Sequence, residues 1–434
     1  MAIQTSARRA SPEFFGWRVV GAAFTVLFAV YAIQFSFGTF VDDIVDDTGW
    51  SENRIQLIFA VYVFGYSSLS AVSGALTDRI GPRRVVAAGA GILTTGYLVW
   101  ALAPNLWFVL LGLGIIAPIG MSASWVPCNA TVVRWFSARR GLAVAISTAG
   151  GSLANIFVPP LAAAMVGAWG WRTALGTLAA IGGVAMLVAA QQMKRDPESH
   201  GQLPDGVQPT ATGDQSSGDA DISNGLTVQQ AARTTAFRML LVMYSLTFMV
   251  VFVPFVHISQ FATDLGIGAV TAATVISAIG VGGLAGRLTA GPLSDTFERR
   301  HVAIAAFVLE TIAFIMMATA TGLAVLYPAA ALFGFAYGAG VALLPALAGD
   351  YFGRAHTGAI VGRLFGIAGS MAAIGPYFAQ LLVDASGSYR VAFGLSAGLN
   401  AAAMLMAWRL PSTTEAQPGG TSHTRSVDGA QSMG

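Results

Sequence analysis

Arg287 is the residue whose chemistry is hardest to explain away. It stands in Gly282-Gly283-Leu284-Ala285-Gly286-Arg287-Leu288-Thr289-Ala290-Gly291, a stretch with no other charge. A guanidinium presents N–H donors in a planar fork that matches one carboxylate with two parallel hydrogen bonds. The flanking glycines leave space beside it, and no acid precedes Asp295 in this segment to neutralise it. Arg287 lies eight residues before Asp295, or about 12 Å along a helix. The chemistry would be capture of an organic anion. The competing use is a structural ion pair or a side chain that snorkels to the membrane surface.

Other side chains could build a site around such a charge. Gln34 lies in Ile33-Gln34-Phe35-Ser36-Phe37, an amide among aromatic residues. Trp125 and Tyr337 offer aromatic walls with a polar edge, which suits a small organic acid. Tyr62 and Tyr66 read as packing. His257 and Asp264 are seven residues apart and would share a helical face; both can change charge with environment, so they are the candidates for carrying a proton. Glu310 has no assigned role, and Arg363 reads as gate or topology. No metal cluster, nucleophile elbow or phosphate loop is seen, so neither a membrane enzyme nor a cofactor is expected.

These residues must be held by membrane helices. Hydrophobic residues make up 55% of the chain and charged residues 10%, against roughly 25% charged in soluble domains. A bilayer core takes about 20 apolar residues per helix. Twelve segments qualify, near 16–41, 55–77, 85–103, 106–133, 141–166, 172–193, 237–262, 269–294, 301–320, 323–348, 358–383 and 389–410. The expectation is an all-α membrane protein with a six-helix bundle over 1–193 and a second over 237–410. Residues 194–236, rich in Pro, Gly, Ser and Asp, read as a disordered cytoplasmic linker. Residues 411–434 read as a disordered cytoplasmic tail.

Of the 23 basic residues, 22 are Arg. With a cytoplasmic N-terminus, only Arg54, Arg172 and Arg390 fall in outer loops, while Arg8, Arg9, Arg83, Arg84, Arg139, Arg299 and Arg300 fall inside. The positive-inside rule then puts both termini in the cytoplasm of a plasma-membrane protein. The net charge of +2 is accounted for by topology and implies no nucleic acid. The single cysteine, Cys128, forms no intrachain disulfide and reads as core.

The chain also repeats itself. Gly74-Ala75-Leu76-Thr77-Asp78-Arg79-Ile80-Gly81-Pro82-Arg83-Arg84 returns as Gly291-Pro292-Leu293-Ser294-Asp295-Thr296-Phe297-Glu298-Arg299-Arg300, at an offset of 217 residues (295 − 78). Two duplicated halves in so apolar a chain point to a transporter built from two similar bundles. The pattern resembles the loop between helices two and three of the major facilitator superfamily, with a degenerate copy between helices eight and nine. It implies a gating motif of Gly74, Asp78, Arg79, Gly81, Arg83 and Arg84, echoed by Asp295 and Arg299. Gly74 would let helices approach, and Asp78 would accept hydrogen bonds at a helix end and pair with a nearby Arg.

A second motif narrows the resemblance. Arg134-Trp135-Phe136-Ser137-Ala138-Arg139-Arg140-Gly141-Leu142-Ala143, followed by Ala149-Gly150-Gly151, is similar to the helix-five motif of monocarboxylate porters and oxalate–formate antiporters. Gly16-Trp17 fits them too, and the likeness spans 14–410. Members carry an Arg at the place of Arg287. Some animal members have an acid where this chain has Gly283, and oxalate-transporting relatives have a Lys near Ala368. One fixed charge fits one carboxylate. The resemblance therefore implies a secondary active transporter of small monocarboxylates such as lactate or pyruvate. Transport would be proton-coupled, by alternating access, with no obligate partner chain. An organic-anion exchanger of the oxalate/formate type and a non-transporting substrate sensor are the alternatives.

Overall fold

The computed structural model describes residues 14–206 and 225–411. Among the described residues, twelve helices are long and apolar enough to cross a membrane: α1 Gly16–Thr48, α2 Glu52–Ile80, α3 Pro82–Ala101, α4 Leu106–Trp135, α5 Arg140–Trp169, α6 Trp171–Ala190, α7 Thr235–Asp264, α8 Thr274–Thr296, α9 Arg299–Thr319, α10 Leu323–Phe352, α11 Thr357–Ser386 and α12 Tyr389–Trp408. No strand occurs among the described residues. All twelve expected segments are therefore helices, six on each side of the central segment, and many run past the apolar core. The longest extension carries α1 through Asp42, Asp43, Asp46 and Asp47 to Thr48.

Local chemistry sets the irregularities. α1 breaks at Ser36, whose hydroxyl donates back to Ala32 O at 2.7 Å, a bond that competes with the helix ladder. α4 opens with Asn105 accepting from the amides of Trp107 and Phe108. It widens to a π-helix over Leu110–Ile116 just before Pro118, which supplies no N–H. Large apolar side chains face outward, with Leu102 and Trp107 both 77% exposed and Phe157 63%. Such a surface needs lipid around it.

The halves meet along two seams, α2 against α11 and α5 against α8. Glycine sets their closeness. A Cβ on Gly74 would stand 2.0 Å from Gly358 O, and one on Gly141 would stand 2.3 Å from Gly291 O. The two seams are copies: Gly74 and Gly291 differ by the repeat offset, as do Gly141 and Gly358.

The described ends of the central segment are packed, unlike the free chain that composition predicts. Trp135 Nε1 donates to Lys194 O at 3.0 Å, and Arg354 pairs with Glu198 at 2.9 Å. Asp205 accepts from the amides of Ser137 and Ala138 at 2.9 and 2.7 Å. Beyond them, Val228–Arg233 forms a helix with a Thr227–Gln230 capping box. Composition reads only solvation, and these anchors come from single side chains aimed at the bundle. Residues 207–224, the tail from 412 onward, and Arg8 and Arg9 lie outside the described residues.

Candidate functional site

α8 and α10 pack backbone to backbone. A Cβ on Gly286 would stand 1.9 Å from Phe335 O, and one on Gly338 would stand 2.2 Å from Gly283 O. This contact holds Tyr337 of α10 against Arg287 of α8, with the guanidinium carbon 5.4 Å from the ring centroid. Such a placement attracts a cation to the ring face. Arg287 is only 8% exposed. Its Nη1 donates to Ser152 Oγ of α5, across the seam between the halves, and to Gly283 O at 3.3 Å. Its Nε has no partner among the described residues. Among the described residues no carboxylate pairs with it. A side chain at 283 would begin 3.3 Å from Arg287 Nη1, so an acid there would neutralise the guanidinium directly. Glycine leaves the charge without a carboxylate at that place.

The other predicted wall residues fall on both halves. Gln34 of α1 accepts from Tyr62 OH at 3.3 Å, and its amide approaches Tyr66 OH at 3.5 Å. Tyr62 OH meets Tyr97 OH at 3.0 Å. Trp125 of α4 stacks on Phe365 of α11, centroids 4.4 Å apart. Tyr337 is backed by Phe255 of α7. Ala368 is fully buried.

The proposed proton carriers are not gathered here. His257 Nε2 lies 3.0 Å from Pro376 O and its ring sits beside Tyr389, all within the second half. Asp264 is exposed at the end of α7. The shared face read from their spacing separates into one buried and one exposed side chain. Glu310 is 2% exposed, with one carboxyl oxygen lacking a partner. Arg363 is exposed.

At one end of the molecule the two halves cap each other. Asp78 accepts from the amides of Gly358 and Ala359, the first turn of α11, at 3.2 and 2.7 Å. Asp295 accepts from the amides of Gly141 and Leu142, the first turn of α5, at 2.7 and 2.9 Å. Each carboxylate thus satisfies orphan N–H groups and faces the positive end of the other half's helix. Arg134 pairs with Asp78 and donates to Ala355 O at 3.0 Å. Asp350 accepts from both Arg140 and Arg299. Arg299 also reaches Asp295 at 2.9 Å. This end is shut.

The motif arginines behave differently from expectation. Arg79, Arg83 and Arg84 are exposed, and Arg134, from the other motif, is the partner of Asp78. Sequence reading also missed Ser152, Arg140 and Asp350. The repeat carries no signal for the last two: at its offset Arg140 maps to Thr357 and Asp350 to Val133.

The model of the Major Facilitator Superfamily matches residues 22–288 and 239–430. Monocarboxylate transporter 11 of Homo sapiens is 28% identical over 284 residues, covering 64% of this chain; the chain thus spans little more than half, 56%, of that relative's length. Monocarboxylate transporter 13 of Bos taurus is 26% identical over 388 residues, covering 87% of this chain and 85% of the relative. The crystal structure of the human organic anion transporter MFSD10 (TETRAN) superposes with a TM-score of 0.70 at 17% identity, covering 90% of this chain and 99% of that one. That likeness bears on the fold alone.

Proposed function

The chain belongs to the Major Facilitator Superfamily, a multi-pass membrane transporter and not an enzyme, and within that family we propose that it carries small monocarboxylates, lactate- or pyruvate-like, with a proton. One observation carries this reading. Arg287 is buried at the seam between the halves, its Nε unpartnered and no carboxylate pairing with it among the described residues. A charge at mid-membrane costs at least about 2.5 kcal/mol, and an anionic substrate offsets that cost. Ser152, Tyr337, Gln34 and Trp125 complete the site from both halves. The relatives named for monocarboxylate transport support the substrate class.

In this reading both termini are cytoplasmic, as the arginine distribution supports, and the shut end is the inner gate. Residues 1–193 rock against 237–410 around the bound acid, joined by 194–236, with 411–434 as a tail. An anion moving inward against a negative-inside potential costs about 2.3 kcal/mol per 100 mV, and a co-transported proton cancels that. Asp264 and His257 carry the proton, since Gly283 cannot. Anion exchange needs no such carrier, and it becomes the better reading if uptake ignores a pH gradient.

The test is uptake of radiolabelled lactate and pyruvate into proteoliposomes, with and without a pH gradient. Arg287→Lys keeps the charge and loses the fork, so uptake should fall about tenfold or more at normal expression. Near-normal uptake by both Arg287→Lys and Arg287→Ala would end the proposal.

A further inference from the structure

Arg79, Ile80, Gly81, Arg83, Arg84 and Arg195 line one groove of about 720 Å³ beside the gate. Three of its four guanidiniums, those of Arg79, Arg83 and Arg84, are exposed and make no ion pair or side-chain hydrogen bond among the described residues. The fourth, Arg195, is held in place: its Nη2 donates to Asp78 O at 2.6 Å, and its nearest carboxylate, Asp196, is 3.8 Å away. The groove also receives the start of α3, where Gly81 turns the chain at φ 86° and no side chain caps the first amides. Gathering three such guanidiniums without a paired carboxylate is unfavourable unless an anion is supplied. Phosphate oxygens suit both guanidinium forks and helix-start amides.

Position selects the source of that phosphate. The groove sits where α2 ends and α3 begins, at the limit of two membrane spans. Just beside it Leu76 and Ile80 face outward, 42% and 43% exposed. A ligand there has its charged end in the groove and its apolar part against those side chains. We propose that this groove binds the headgroup of an anionic phospholipid, one residue from the gate aspartate. Bound lipid then braces Arg195 on Asp78 O and favours the shut gate. Lipid binding in this groove does not depend on the transported substrate.

Full-length protein in detergent would be titrated with phosphatidylglycerol, phosphatidylcholine or inorganic phosphate, reading retained lipid by native mass spectrometry and the thermal midpoint. Phosphatidylglycerol should be retained and should raise the midpoint; the other two should not. Arg83→Gln/Arg84→Gln should weaken retention about thirtyfold, at roughly 1 kcal/mol per arginine. Arg79→Gln alone should weaken it several-fold. Arg233→Gln/Arg238→Gln removes the same charge from exposed positions outside the groove and should leave retention unchanged. Equal loss in that control, or equal stabilisation by phosphatidylcholine or by inorganic phosphate, would overturn the proposal.

Discussion

Asp78→Asn probes the reciprocal gate with almost no change of shape. Asparagine keeps one acceptor but replaces the other with an NH2 that faces donors. The carboxylate now serves two backbone amides, at 3.2 and 2.7 Å, and the Arg134 guanidinium. Asp78 is 8% exposed and Arg134 5%, so solvent screens little of the loss. Breaking a buried pair by removing one partner costs about 3–5 kcal/mol. Arg134 keeps two carbonyls to fall back on, Arg354 O and Ala355 O at 3.3 and 3.0 Å, which places the cost near the low end. About 3 kcal/mol shifts the shut-to-open ratio roughly 150-fold.

Hydrogen exchange read by mass spectrometry measures that shift at two places. One of the Gly358 and Ala359 amides loses its acceptor directly, and as the gate opens both should exchange about 100-fold faster. The amides of Gly141 and Leu142 keep theirs, because Asp295 is untouched. If the halves part as rigid bodies, these also accelerate by a similar factor. Acceleration confined to 358 and 359 would mean local fraying of α11, and the rocking of one half against the other would lose its support. No acceleration at either place would show that the carboxylate does not hold the gate.

Three further outcomes follow from the central site. Ser152→Ala removes the hydroxyl that Arg287 reaches across the seam and should change the apparent KM for a monocarboxylate several-fold while leaving the protein folded; an unchanged KM would place the substrate elsewhere. Unlabelled monocarboxylates should compete for tracer uptake while oxalate should not, because one buried guanidinium faces the site and Ala368 is neutral; strong oxalate competition would contradict a single-charge pocket. Asp264→Asn should flatten the dependence of initial uptake on external pH while exchange at equal pH survives, and His257→Gln should show whether the buried imidazole shares that role. A normal gradient response in both variants would take the coupling site off α7 and favour anion exchange.

The features legible in the sequence were those encoded in runs and repeats. Twelve apolar stretches gave twelve helices because each must satisfy its own backbone within lipid. The offset between Asp78 and Asp295 carried through to the two seams, since duplicated segments fold alike. Arg287 was readable because its surroundings hold no other charge. Pairing across the halves was not readable. Helical periodicity tells which face of a helix is apolar, never which helix lies opposite. Asp78 was expected at a helix end beside a nearby Arg, but that the arginine is Arg134 and the helix end that of α11 came only with the fold. Ser152 was hidden for a related reason: a hydroxyl among small residues reads as packing until a guanidinium is found within reach.

The contacts at the seam also explain how binding could be converted into movement. A ligand shifts an equilibrium only by its differential affinity for the two states. Arg287 belongs to the second half, while Ser152, Gln34 and Trp125 belong to the first. An acid bridging them binds best when both walls are near, and less well when the halves part around it. The hydrogen bond from Arg287 to Ser152 is a neutral stand-in for that bridge: it crosses the same seam but leaves the guanidinium without an anion. A carboxylate in its place adds charge-assisted bonds of about 1.5–3 kcal/mol each, comparable to the roughly 3 kcal/mol assigned to one gate aspartate. Substrate and gate are thus matched in scale, so an acid bridging the two walls would draw the halves together about as strongly as one gate aspartate holds them.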